Sequence, residues 1–185
     1  EDGIRDVAVT GVQTCALPIS SDIAMALRTP TKDAEEIKIE YGVAKQLLAD
    51  PAEQLEVPGL GDRVPKILSR QALAGVIEPR VEEIFALVQQ VIRESGYEEL
   101  LSSGIVLTGG SAVMPGMVEL AEDIFLKPVR KGGPTYGGPL YDMVTSPRSA
   151  TVMGLLEEAR LAKVRSSRLA PAGTASQGLT QGLFV

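Results

Sequence analysis

The chain contains no histidine and a single cysteine among its 185 residues. Those two absences exclude a Ser-His or Cys-His nucleophile pair and an ordinary zinc site. One thiol also cannot close an internal disulfide, which points to a reducing compartment. No apolar run approaches the roughly 18 residues that a membrane-spanning helix needs, and no secretory signal is present. The formal net charge is −6. With no basic domain in the sequence, nucleic acid is not an expected partner.

What is present centres on Gly104-Ile105-Val106-Leu107-Thr108-Gly109-Gly110-Ser111-Ala112-Val113-Met114-Pro115-Gly116. A β-favouring apolar run ends in a glycine pair. Met117, Leu120, Ala121, Ile124 and Phe125 then recur at helical spacing, so the segment reads as buried strand, tight turn and helix. Paired glycines at such a junction let a ligand approach the main chain and let the helix offer free N–H groups to an anion. A glycine pair taken alone fits a ligand-free turn equally well.

Upstream, Thr31 or Asp33 can cap a helix carrying Ala34, Ile37, Tyr41, Ala44 and Leu48 at helical spacing. Glu35 and Lys38 stand at i and i+3 on it, and on residue type alone they are a solvated ion pair. Leu55-Glu56-Val57-Pro58 and Val64-Pro65-Lys66-Ile67-Leu68 flank a glycine-containing turn and read as two strands, edge strands because of their prolines. From Ser69 a long helix follows, buried through Leu73, Ile77, Ile84, Val88, Val91 and Ile92, with Pro79 expected to kink it or to begin its second segment. Pro128-Val129-Arg130 opens a short edge strand, residues 131–139 form a connecting loop, and a last helix runs from Arg148 to about Val164.

Residues 1–19 stand apart, with no caps and no amphipathic period. Both of their blocks, Glu1 to Asp6 and Val9 to Ile19, are what one reading frame of a common indexed sequencing adapter encodes, with Val7-Ala8 as the index. With the junction residue Ser20 included, residues 1–20 are therefore read as a non-native, disordered segment fused to a truncated gene. On that reading Cys15 is not native either.

From about Ser21 to Val164 the chain resembles the actin, Hsp70 and sugar-kinase superfamily, and within it the FtsA family of actin-like bacterial cell-division proteins. The carriers are Ser21-Asp22-Ile23-Ala24, Asp33-Ala34-Glu35-Glu36-Ile37-Lys38, Val76-Ile77-Glu78-Pro79-Arg80, Leu107-Thr108-Gly109-Gly110 and Pro128-Val129-Arg130.

The resemblance implies an α/β fold: one lobe of the actin/Hsp70-like ATPase, a mixed twisted sheet with flanking helices, plus a small αββα subdomain. Residues 21–48 and 101–147 would form the nucleotide-side subdomain and 49–100 the small partner-binding one. Residues 148–164 would be a C-terminal helix and 165–185 a disordered tail. ATP, with Mg in the intact family protein, is the implied cofactor. Glu35 and Lys38 would reach the ribose hydroxyls, and Gly109, Gly110, Ser111 and Met114 would line the adenosine turn. The phosphate loops would lie in a missing upstream half, so no catalytic and no metal residue is assigned here.

Arg63, Lys66, Arg70 and Arg80 are the implied contacts for the C-terminal tail of FtsZ. Self-association into actin-like filaments is a second implied interaction. A third is with the membrane surface, through a C-terminal amphipathic helix whose pattern residues 165–185 lack. The intact protein is expected at the inner face of the cell membrane at the division site. Alternatives are a cell-shape or pilus-assembly ATPase, or a sugar-kinase-type phosphotransferase, for which no acceptor pocket or base is evident.

Overall fold

A computed structural model describes residues 16–59, 61 and 64–169. The first helix, α1, spans Ala16–Leu27 and buries Ile19 and Ile23. Arg28, in the left-handed region at φ 56°, ends it. The chain reverses into α2, Thr31–Tyr41, whose cap position is Pro30 and whose start carries no side-chain cap. The expected capping by Thr31 or Asp33 is therefore absent. Nor does α2 continue to Ala44 and Leu48: Gly42 turns extended and its N–H closes on the Lys38 carbonyl at 3.0 Å.

After a 3-10 turn at Gln46–Leu48, β1 (Gln54–Val57) and β2 (Lys66–Ser69) pair antiparallel, with Gln54 opposite Ser69 and Val57 opposite Lys66. Leu55 and Val57 point inward while Lys66 and Ile67 stay exposed. Pro58 and Pro65 fall just outside the ladder, where a missing N–H costs no pairing.

The backbone of the molecule is α3, Arg70–Glu94. The Ser69 side chain caps it by accepting the Ala72 N–H at 3.2 Å. Leu73, Ala74, Ile77, Val81 and Phe85 recur every three or four residues and bury one face. Pro79 lies inside this one 25-residue helix and does not divide it. Its ring faces the carbonyl four residues back, that of Gly75. Gly75 is also where the Gln46 side chain comes close, and a Cβ there would lie 3.1 Å from the Gln46 amide nitrogen. The neighbouring Glu78 carboxylate accepts the Gln46 backbone N–H at 2.9 Å.

Beyond a 3-10 turn at Glu98–Leu100, β3 (Ile105–Leu107) and β4 (Val129–Lys131) form a parallel pair, with α4 (Met117–Phe125) between them. This βαβ crossover is the unit expected around the glycine pair. The strand was expected to be buried, yet Val106 is exposed, because among the described residues β3 has one partner strand and one covered face. The short helix α5 (Tyr141–Val144) and a 3-10 turn at Pro147–Ser149 close this unit.

One continuous core joins these pieces. Ile19 and Ile23 from α1, Leu55 and Val57 from β1, Leu73 and Ile77 from α3, and Met117, Leu120 and Val129 from the crossover belong to the same buried cluster. Phe85 and Phe125 meet across it with ring centroids 5.5 Å apart. Residues 49–100, expected as a separate small subdomain, thus share their core with residues on both sides of them. The second compact unit begins at Thr151. Its helix, α6 (Ala150–Leu169), carries Arg160–Glu157 and Arg165–Glu158 ion pairs.

Two expected boundaries are corrected. Disorder was expected through residue 20, but α1 already runs from Ala16, because Ile19 packs in the core and Ser20 is buried against α2. The tail was expected from residue 165, but the helix continues to Leu169. The remainder of both segments, 1–15 and 170–185, lies outside the described residues.

Candidate functional site

Helix α2 places Glu35 and Lys38 one turn apart, and burial separates their roles. The Lys38 side chain is only 7 % exposed, whereas that of Glu35 is 44 % exposed. A buried ammonium needs partners, and Lys38 donates to the Glu35 carboxylate at 2.6 Å and to the Ser20 hydroxyl at 2.9 Å. Ser20 in turn donates to the same carboxylate. Burial pushes the Glu35 carboxyl up, but the hydrogen bonds from Lys38 and Ser20 and the charge on Lys38 outweigh it and hold the group below its ordinary value. The pair is therefore a fixed, charge-separated device aimed outward through its carboxylate. Ser20 has no motif of its own, and only its position one helix away from the pair reveals it.

The glycine turn faces this pair. Gly109 takes φ 91°, which only glycine adopts without strain. Its N–H donates to the Pro147 carbonyl at 3.0 Å, which holds the Pro147–Ser149 turn beside it. The α-helix does not follow directly. A 3-10 turn at Ser111–Val113 intervenes, and α4 starts only at Met117 behind Gly116. The amides nearest the glycine pair therefore belong to that 3-10 turn and not to the N-terminus of α4.

Two links fix the turn to the end of α2. The Ala44 N–H donates to the Pro115 carbonyl at 2.8 Å, and Lys45 pairs with Asp123 on α4 at 2.5 Å. At Gly116, φ 83°, a Cβ would lie 2.8 Å from the Lys45 nitrogen and 3.1 Å from its Cβ. Gly116 is thus required by this close approach, a role the sequence alone does not show.

The result is an open cleft of about 330 Å³. Its lining brings together the polar Glu35 and Lys38, the turn residues Gly110 and Ser111, and the apolar Ile39, Val113, Met114 and Pro115. Gly42 and Arg148 complete the lining. Five of the six residues expected around a nucleotide meet here, and Gly109 sits directly behind them as the hinge of the turn. Ile39, Gly42, Val113, Pro115 and Arg148 were not anticipated. Arg148 is 110 residues beyond Lys38 in the chain, and the Gly109–Pro147 bond helps bring its turn to the cleft.

Of the four basic residues expected to meet a partner, three are described. Lys66 is exposed on the hairpin, and Arg63 lies outside the described residues. Arg70 is committed internally, pairing with Glu53 at 2.7 Å and donating to the Tyr41 carbonyl at 3.0 Å. Arg80 clasps Asp22 of α1 with two nitrogens and Glu83 with a third. Both therefore cross-link elements of this fold, while 24 % of the Arg70 side chain and 32 % of the Arg80 side chain stay exposed.

The parallel βαβ unit, with its glycine turn facing a helix-borne acid–base pair, defines one lobe of an actin-like fold. Consistent with this, MreB5 of Spiroplasma citri, solved bound to ADP, superposes with a TM-score of 0.61 over 82 % of this chain and 46 % of that one, at 17 % identity. A family model described as cell division protein FtsA matches residues 1–154. The chain therefore belongs to the FtsA family. Among its relatives, FtsA of Pseudomonas aeruginosa is 53 % identical over 156 residues, which is 84 % of this chain and 37 % of that protein. FtsA of Neisseria meningitidis serogroup B is 47 % identical over 142 residues, 76 % of this chain and 34 % of that protein. The chain thus spans about a third of the length of these curated relatives.

Proposed function

We propose that the cleft between α2 and the glycine turn takes the adenosine part of ATP, and that the chain is the nucleotide-side portion of an actin-like division protein. The observation that supports this most is the geometry at Gly110. Its backbone is ordinary right-handed helical, φ −64° and ψ −42°, and a Cβ built on it would meet nothing within 4 Å. Neither conformation nor packing calls for glycine there, and the missing side chain leaves the main chain of the turn open to close approach by a ligand. Glu35 accepts hydrogen bonds from ribose hydroxyls and Lys38 donates to them, while Ile39, Val113 and Pro115 offer the apolar side that a base requires. The Mg-triphosphate end extends beyond this cleft, towards parts of the relatives that this chain does not span.

In the intact family protein this nucleotide-dependent unit serves to anchor FtsZ filaments at the cytoplasmic membrane and to recruit later division proteins. It also self-associates into actin-like filaments. Membership of the FtsA family supports this wider reading.

The test is Gly110→Val in the 185-residue chain. Because the position is exposed and has open space in front of it, the melting temperature is expected to stay within about 2 °C of the parent, corresponding to a surface change of roughly ±0.5 kcal/mol. ATP affinity by calorimetric titration is expected to fall at least about tenfold, the effect of roughly 1.4 kcal/mol of lost contact. Equal ATP affinity in both proteins would refute a nucleotide at this turn.

A further inference from the structure

We infer that the open edge of β4 is an interaction surface that takes up an extended acidic segment of a partner protein as an added strand. Two independent observations meet there, and the first is the backbone. Among the described residues β4 pairs only with β3. The Ile105 N–H donates to the Pro128 carbonyl at 2.9 Å and the Gly132 N–H to the Leu107 carbonyl at 2.8 Å, which fixes the groups that this pairing uses. Successive residues of a strand point to opposite edges, so Pro128, Arg130 and Gly132 face β3 while Val129 and Lys131 face away. The Glu122 carboxylate accepts the Val129 N–H at 3.1 Å. The Val129 carbonyl and the Lys131 N–H are bonded to nothing else among the described residues.

The second observation is charge. Lys127, Arg130 and Lys131 flank this edge, the last two fully exposed, and no carboxylate pairs with any of them among the described residues. These cations decide the occupant. A second copy would bring the same charges to the same edge, and like charges on facing strands oppose pairing. An acidic strand turns that repulsion into attraction, and its main chain can bond to the groups that β4 leaves open. The register also defines a pattern for it. Val129 is buried in the core, whereas Arg130 lies opposite the exposed Val106 on the other face. A segment that alternates acidic with apolar residues matches both faces.

The experiment follows the fluorescence anisotropy of a short labelled peptide of alternating glutamate and valine as the 185-residue chain is added. The comparisons are a chain carrying Arg130→Glu and Lys131→Glu together, the same peptide N-methylated at every amide, and vesicles of phosphatidylglycerol. Both substituted positions are exposed, so the melting temperature should not move. The expected result is saturable binding to the parent that weakens with salt. It should fall at least about tenfold for the double variant, the effect of lost charge-assisted hydrogen bonds. It should fall as far for the methylated peptide, which keeps its charge but has no N–H to donate. Equal affinity for the methylated peptide would overturn strand addition, because charge alone would then hold the ligand. Equal affinity in the double variant would overturn the β4 edge as the site. Absence of peptide binding would overturn the inference altogether, and vesicle binding in its place would make the edge a lipid-facing surface.

Discussion

Lys38→Met is expected to weaken nucleotide binding by about 10- to 100-fold, the worth of hydrogen bonds from a charged donor. Methionine fills a similar volume, so the change removes the ammonium and little else. It leaves the buried Ser20 hydroxyl without one donor and the Glu35 carboxylate without its counter-ion. Removing one member of a fully buried pair costs about 3–5 kcal/mol. Glu35 is 44 % exposed and water can replace part of what it loses, so the stability cost is expected to be smaller, about 1–2 kcal/mol.

The pH dependence has a definite sign. The Glu35 carboxyl sits below its ordinary value of 4.5 in the folded chain, so its contribution is fully present above that value and is lost as pH falls through the folded one. The stability gap between parent and Lys38→Met should therefore be widest near neutrality and should close as pH is lowered through 4.5 and below. Urea midpoints across that range measure it. A gap that widens on acidification would show that Lys38 is stabilised by something other than Glu35.

Ile77→Ala is expected to have the largest effect on the fold itself. Ile77 is completely buried on α3, in the cluster that holds α1, the hairpin and the crossover together. Truncating such a side chain costs about 2–5 kcal/mol from lost transfer energy plus the cavity left behind. For a unit of this size that lowers the melting temperature by roughly 5–15 °C. Ile67→Ala on the exposed side of the hairpin, where the side chain is 74 % exposed, serves as the control and should change little. Comparable losses from both would contradict the single-core arrangement.

The elements whose burial follows from local spacing were legible in the sequence: the long helix behind Ser69, the hairpin flanked by prolines, and the strand before Gly109 all form. The resemblance carried by Glu35, Lys38 and the glycine pair brought together residues that the structure places in one cleft. What escaped depends on contacts distant in sequence. Ser20 matters because α1 lies against α2, Gly116 because Lys45 approaches it, and Arg148 because Pro147 accepts from Gly109. Arg70 and Arg80 look like surface cations in sequence, and only the positions of Glu53 and Asp22 show them to be cross-links. Pro79 does not begin a second segment for a related reason: packing of both halves of α3 onto one core outweighs the local cost of a proline.

Amide chemical-shift mapping of the 185-residue chain with ATP shows whether α2 and the glycine turn together form the ligand cleft. Shifts are expected to concentrate in residues 35–42, 110–114 and 148, which are far apart in sequence and meet in this cleft. Shifts concentrated instead at Asp22, Met25, Val76 and Glu83, which line a separate groove between α1 and α3, would contradict it.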